Sequence, residues 1–315
     1  MGCLVRAIGS VCLLLGVLIG LRRATERPAA IPPPSGDTRD TLAEGVRWRS
    51  REAPGDEGGR DRDPVIFVHG FLSSSTTWKR VLEGSAAGRR AVAVDLPGSG
   101  FSDRPWPFDY TVQGQAEHLL RYLDARGFSR VVLVGSSLGG GVCEAVAAAR
   151  PERVAALVLV DAVSPGMKIR PGFRLLRTPV LGEVQIELLV RPVMEYSLRR
   201  RLYARSERVT RETVDDWWNP ISVPGTRRAA LEAVRTRYGG TEQFLQKIRA
   251  PTLVLWGKQD ALMDPSEGLA LASAIEGARF VMLPGVGHLP QEEDPEQFSK
   301  TVSEFLRQLP GEQLR

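Results

Sequence analysis

Gly135-Ser136-Ser137-Leu138-Gly139 sets a serine between the apolar run Val131-Val132-Leu133-Val134 and an Ala-rich stretch, Gly140 to Arg150. The run reads as a buried strand and the stretch as a helix. A strand that turns sharply into a helix strains its turn residue and needs small neighbours on both sides. That geometry pushes the Ser137 side chain into the open, and the helix N-terminus behind it stabilises negative charge. A serine hydroxyl is a poor nucleophile at neutral pH. It needs a base within hydrogen-bond reach and a third group that orients the base.

Three histidines could supply the base. His288 lies in the loop Pro284-Gly285-Val286-Gly287-His288-Leu289-Pro290, just past an apolar run, where open α/β sheets place their sites. His69 follows another such run and shapes its turn, and His118 falls inside a helical pattern with a surface role. The orienting acid should also end a strand. Asp260, in Trp256-Gly257-Lys258-Gln259-Asp260, does so, and Asp161 is its rival, with Asp264 close enough to need a control. Asp95 and Asp103 precede the serine and suit turn roles. An oxyanion would need backbone donors, for which the Leu138 and Phe71 N–H groups are placed. Losing one such donor costs about 3 kcal/mol.

These residues need elements to hold them. Val65 to Val68, Ala91 to Val94, Ala156 to Val160, Thr252 to Trp256 and Arg279 to Leu283 are apolar runs typical of strands buried on both faces. Val46-Arg47-Trp48 reads as a short edge strand, and residues 53 to 63 as a polar turn. Helices are expected over Thr76 to Glu83, Thr111 to Arg126, Ser266 to Ile275 and Pro295 to Leu309. The alternation implies a mostly parallel sheet flanked by helices. It lapses over residues 164–240, which hold fourteen arginines and Trp217-Trp218 and read as a helical insertion.

The chain has 315 residues, a formal net charge of +5 and 43% hydrophobic content, which is ordinary for a globular protein. The basic excess is arginine without interleaved aromatics, so no nucleic-acid motif emerges. Three cysteines, at positions 3, 12 and 143, form no CxxC pair, which argues against a disulfide scaffold or zinc site. Cys143 reads as a small buried hydrophobe. Residues 7–21 carry no charge, between Arg6 and Arg22-Arg23. Fifteen helical residues span roughly 22 Å, against a bilayer core of about 30 Å. Residues 1–23 are expected to form a single-pass membrane anchor, with a cleaved secretory signal as the alternative. Met1-Gly2-Cys3 invites lipidation, but Arg6 stands where the myristoylation pattern wants Ser or Thr. Residues 24–43, with Pro32-Pro33-Pro34, read as a linker.

His69-Gly70-Phe71, Asp95-Leu96-Pro97-Gly98-Ser99-Gly100, Gly135-Ser136-Ser137-Leu138-Gly139, Trp256-Gly257-Lys258-Gln259-Asp260 and Gly287-His288 together resemble the α/β-hydrolase fold family. The resemblance covers roughly residues 44 to 310. It implies a core of residues 44–163 and 241–315, a helical cap over 164–240, and Ser137, Asp260 and His288 as the triad, in the family's Ser…Asp…His order. Related epoxide hydrolases and haloalkane dehalogenases carry Asp as nucleophile, so Ser137 argues against both activities. The expected function is hydrolysis of a carboxylic ester or thioester, from a small-molecule or lipid-like substrate, through an acyl-enzyme and with neither metal nor organic cofactor. A carbon–carbon bond hydrolase or acyltransferase would use the same triad, and a non-catalytic binding protein would keep only the fold.

Overall fold

The computed structural model describes residues 29–33, 35–56, 62–167, 171–235 and 242–309. Eight strands form one sheet: β1 (Thr38–Ala43), β2 (Val46–Ala53), β3 (Val65–Val68), β4 (Ala91–Val94), β5 (Val131–Ser136), β6 (Val154–Val160), β7 (Thr252–Gly257) and β8 (Arg279–Leu283). Their order is β1-β2-β4-β3-β5-β6-β7-β8. β1 pairs antiparallel with β2, and β2 with β4; every other neighbour is parallel. This is the α/β architecture that the sequence implies. β3 and β5 are buried along their whole length, as covering both faces of a sheet requires.

Alternate residues feed two cores. Ile66 and Val68 point to one face, with α1 (Val112–Ala125) and α2 (Leu138–Ala149) packed there through Leu119, Leu123, Val142 and Val146. Val65 and Phe67 point to the other, against Trp78 and the C-terminal helix residues Phe298, Val302 and Leu306. Between β6 and β7 come α3 (Pro171–Leu176), α4 (Leu181–Glu187), α5 (Arg191–Ser197), a π-helical turn (Leu198–Leu202), α6 (Arg211–Ser222), α7 (Thr226–Arg235) and α8 (Glu242–Leu245). They bury small cores of their own, one around Met194, Leu198, Val214 and Trp217 and another around Leu176, Ile186 and Leu231. After β7 come α9 (Pro265–Ala274), α10 (Pro290–Glu293) and α11 (Pro295–Arg307).

Three expectations are corrected. The membrane anchor is not supported: among the described residues no helix is long and apolar enough to cross a membrane. Residues 1–23 themselves lie outside the described set, as does the lipidation reading at Met1-Gly2-Cys3. The linker ends early, because Thr38–Ala43 is the edge strand β1 and Val46–Ala53 lies inside the sheet, paired on both sides. The helix expected over Thr76 to Glu83 is a 3-10 turn, Ser75–Trp78, followed by irregular turns. Gly84, Gly88 and several serines crowd that stretch and favour turns over helix propagation.

Phe298 is fully buried, with its ring 6.1 Å from that of Trp78. Phe298→Ala should therefore lower unfolding free energy by about 3–5 kcal/mol, read as a lower urea midpoint at unchanged slope. A loss under about 1 kcal/mol would mean that α11 is not part of the cooperative core.

Candidate active site

Ser137 sits between β5 and α2 with φ 52° and ψ −120°. A side chain there is strained. The end of β6 and the turn after it hold it: Ser137 N–H donates to Val160 O at 2.9 Å, and Ser137 O accepts from Val163 N at 2.9 Å. The surrounding glycines leave room for this. A Cβ on Gly139 would collide with the carbonyls of Val68 and His69, and one on Gly140 with Ala162. A Cβ on Gly70 would come within 3.0 Å of Ser137 Cβ, so the loop after β3 passes directly over the serine.

His288 and Asp260 meet across the ends of β7 and β8. His288 Nδ1 lies 2.7 Å from Asp260 Oδ2, with both residues buried. The other carboxylate oxygen of Asp260 accepts from Leu262 N at 2.7 Å and Met263 N at 2.9 Å. Burial opposes the charge of Asp260, but His288 and these two donors outweigh it and hold its carboxyl below the ordinary range. With Nδ1–H donated to Asp260, His288 Nε2 carries the free lone pair of a base. Ser137 and His288 line one cavity with Phe71, Leu72, Phe173 and Met194. The N–H groups of Phe71 and Leu138 donate to no acceptor among the described residues, and Leu138 opens α2, where the helix dipole favours an anion.

The other sequence candidates fall elsewhere. His69 spends both ring nitrogens on backbone: Nδ1 on Gly70 O at 2.8 Å and Nε2 accepting from Leu96 N at 3.1 Å. Burial lowers its pKa against the opposing charge of Asp95, which keeps it neutral. His118 stacks on Phe108 at 4.1 Å, away from the cavity. Asp95 accepts from Ser75 N and Phe101 N, Asp103 pairs with Arg47, and Asp264 caps α9. Cys143 is buried, and burial pushes its thiol well above the usual range.

Asp161 is different. It is fully buried at the end of β6, accepts from Gly257 N at 2.9 Å, and lies with Asp260 and His288 in a cluster whose candidate ligand atoms are all within 4.8 Å of one another. Burial drives its carboxyl well above the usual carboxylate range, and the charge of Asp260 pushes the same way. Two charges this close in a dry site oppose one another, and of the two carboxyls it is that of Asp161 that is raised and that of Asp260 that is lowered. This is the one cluster among the described residues with the donors for a metal ion. Both Asp260 oxygens are committed, to His288 Nδ1–H and to two backbone N–H groups, and Asp161 Oδ1 accepts from Gly257, whereas Asp161 Oδ2 has no hydrogen-bond partner among the described residues.

The sequence reading missed the residues that tie the His288 loop down. His288 N–H donates to Leu202 O at 2.8 Å, Gly287 N–H to Glu293 Oε1 at 2.6 Å and Arg205 N–H to Glu293 Oε2 at 3.0 Å. Glu292 accepts from Thr77, from Tyr203 at 2.6 Å and from Trp217 at 3.2 Å. Burial raises its carboxyl above the ordinary range, against those three donors. The signal available was a Glu-Glu pair four residues past His288, which by itself looks like a solvated helix end.

The alpha/beta hydrolase fold family matches residues 63–295. A 2-hydroxy-6-oxo-2,4-heptadienoate hydrolase of Pseudomonas putida is 31% identical over 254 residues, spanning 78% of this chain and 89% of the relative. Monoacylglycerol lipase abhd6-A of Xenopus laevis is 28% identical over 277 residues, spanning 83% and 79%. The crystal structure of Cfl2 from Burkholderia cenocepacia has a TM-score of 0.75 at 28% identity, over 86% of this chain and 95% of that one.

A raised Asp161 carboxyl has a pH signature. A carboxyl raised on folding contributes stability below its unfolded value, near 3.9, and that contribution is lost as pH rises toward the folded value. Asp161→Asn keeps an N–H donor at every pH. From pH 5 to pH 8 the wild type should lose more thermal stability than Asp161→Asn, so the difference in Tm widens in the variant's favour. Parallel Tm-against-pH curves would show that Asp161 is ionised throughout.

Proposed function

The chain belongs to the α/β-hydrolase fold family, and from that premise we propose that it is a serine hydrolase of carboxylic esters with Ser137, His288 and Asp260 as its triad. Fold and relatives indicate a hydrolase. The observation that carries the finer reading is the 2.7 Å contact from His288 Nδ1 to Asp260 Oδ2, beside a cavity that Ser137 also lines.

In this reading His288 Nε2 takes the Ser137 hydroxyl proton as Oγ attacks the ester carbonyl. The carbonyl oxygen becomes an oxyanion, met by the N–H groups of Phe71 and Leu138 at the start of α2. Collapse of the intermediate breaks the bond to the alcohol, which leaves with the proton from His288. Water, deprotonated by the same nitrogen, then releases the acid and restores Ser137. Asp260 fixes the imidazole orientation and offsets its transient charge. Residues 164–240 act as a cap and set substrate choice through the apolar side chains they hold over the cavity: Phe173, Leu189, Met194 and Trp217. The cavity, about 180 Å³, is sized for a small-molecule group.

The likeness to the Pseudomonas putida enzyme favours a second reading. A 2-hydroxy-6-oxo-dienoate has a ketone and no ester, so hydrolysis at that carbonyl cuts a carbon–carbon bond. The same base and oxyanion donors would serve both reactions.

The full chain with p-nitrophenyl esters from acetate to palmitate tests the first reading. Turnover should fall on the order of 10⁶-fold in Ser137→Ala, and fluorophosphonate labelling should vanish with it. Ester turnover that survives Ser137→Ala would sink the triad. Ser137-dependent loss of a 2-hydroxy-6-oxo-dienoate with a kcat/KM above that of every ester would favour the second reading.

A further inference from the structure

Gln291 is fully buried on α10 and lines the same cavity as Ser137 and His288. Its Nε2 donates to Thr77 Oγ1 at 3.1 Å. Its Oε1 has no hydrogen-bond partner among the described residues. Which end of the amide meets Thr77 follows from a chain of donors. Tyr203 and Trp217 both donate to Glu292, and Thr77 spends its one hydroxyl proton on the same carboxylate. Thr77 Oγ1 can then only accept, so Gln291 must turn its NH₂ toward Thr77 and its oxygen away. A buried acceptor left unmatched costs more than an ordinary hydrogen bond returns.

The neighbourhood narrows what would satisfy it. The side chains lining the cavity include no carboxylate, and Arg201 is among them, so a cationic donor is disfavoured. Ser73, also buried and lining the cavity, offers a second hydroxyl. A group that donates once and accepts once fits this pair, and that group is a neutral hydroxyl. Phe71, Leu72, Phe173 and Met194 make much of the rest of the lining apolar.

We propose that Gln291, oriented by Thr77 and Glu292, recognises a hydroxyl on the substrate, so that the preferred ester has one hydroxylated end and one apolar end. The proposal rests on the ester-hydrolase reading. The hydroxyl can belong to the alcohol or to the acyl part, and both place the same donor before Gln291.

Steady-state kinetics on the full chain separate these. The alcohol arm compares 2,3-dihydroxypropyl octanoate with propyl octanoate. The acyl arm compares propyl 3-hydroxyoctanoate with propyl octanoate. In at least one arm the wild type should favour the hydroxylated ester about tenfold in kcat/KM, the size of one buried hydrogen bond, and that arm assigns the hydroxyl. In Gln291→Leu, and in Gln291→Met should the first fail to fold, the ratio should fall to about one. A wild-type ratio near one in both arms overturns the proposal without any variant, and so does a preference that persists in both variants. Ser137-dependent turnover of propyl octanoate shows in the same experiment that the hydrolase reading stands. No turnover of any ester and no fluorophosphonate labelling would overturn both.

Discussion

The backbone of Ser137 is held where a residue with a Cβ does not rest by choice. Its φ of 52° and ψ of −120° cost on the order of 1–3 kcal/mol, and that conformation persists only because the sheet leaves no alternative. The residue is tied to β6 through Val160 and to the following turn through Val163. α2 can start at Leu138 only if Gly139 passes against the carbonyls of Val68 and His69. The parallel pairing of β5 with both β3 and β6 fixes those partners. The fold's central register and the exposure of one hydroxyl are therefore a single constraint.

A second constraint governs the charges. Asp161, Asp260, His288 and Glu293 are buried around the ends of β6, β7 and β8, with Glu292 half-buried beside them. Isolated ions in such a place would cost several kcal/mol each. Here each has partners: Asp260 has His288 and two backbone donors, Glu293 has Gly287 and Arg205, and Glu292 has Thr77, Tyr203 and Trp217. Asp161 has one backbone donor, Gly257 N–H, and an Oδ2 without a partner among the described residues, and burial raises its carboxyl. Several of these donors come from the helical segment between β6 and β7. The loop that carries His288 and the helical segment that lines the cavity are thus joined by hydrogen bonds, His288 N to Leu202 O among them.

Much of this was legible because burial on both faces writes itself plainly. Val65 to Val68 and Ala91 to Val94 are continuous apolar runs, and such runs in a 315-residue chain that alternates them with helical patterns allow few folds. β1 was missed because an edge strand is half-solvated: Thr38 to Ala43 reads polar, has no apolar run, and buries only Ala43 fully. Gln291 was missed because an amide three residues past a histidine looks like surface until the chain folds Thr77 against it.

The sequence by itself determined the fold class and the strand–turn–helix around Ser137, since periodicity, β-branching and the spacing of small residues are local and each turn's sterics act within a few residues. It also narrowed the titratable candidates to those that end strands. Tertiary structure alone decided which carboxyl meets His288, 28 positions apart in the chain for Asp260, and which one beside it is buried without a countercharge, Asp161. It alone decided the cavity's lining and the direction of Gln291's amide. Those depend on desolvation and on which groups are brought within about 3 Å, quantities that have no value until distant segments are packed.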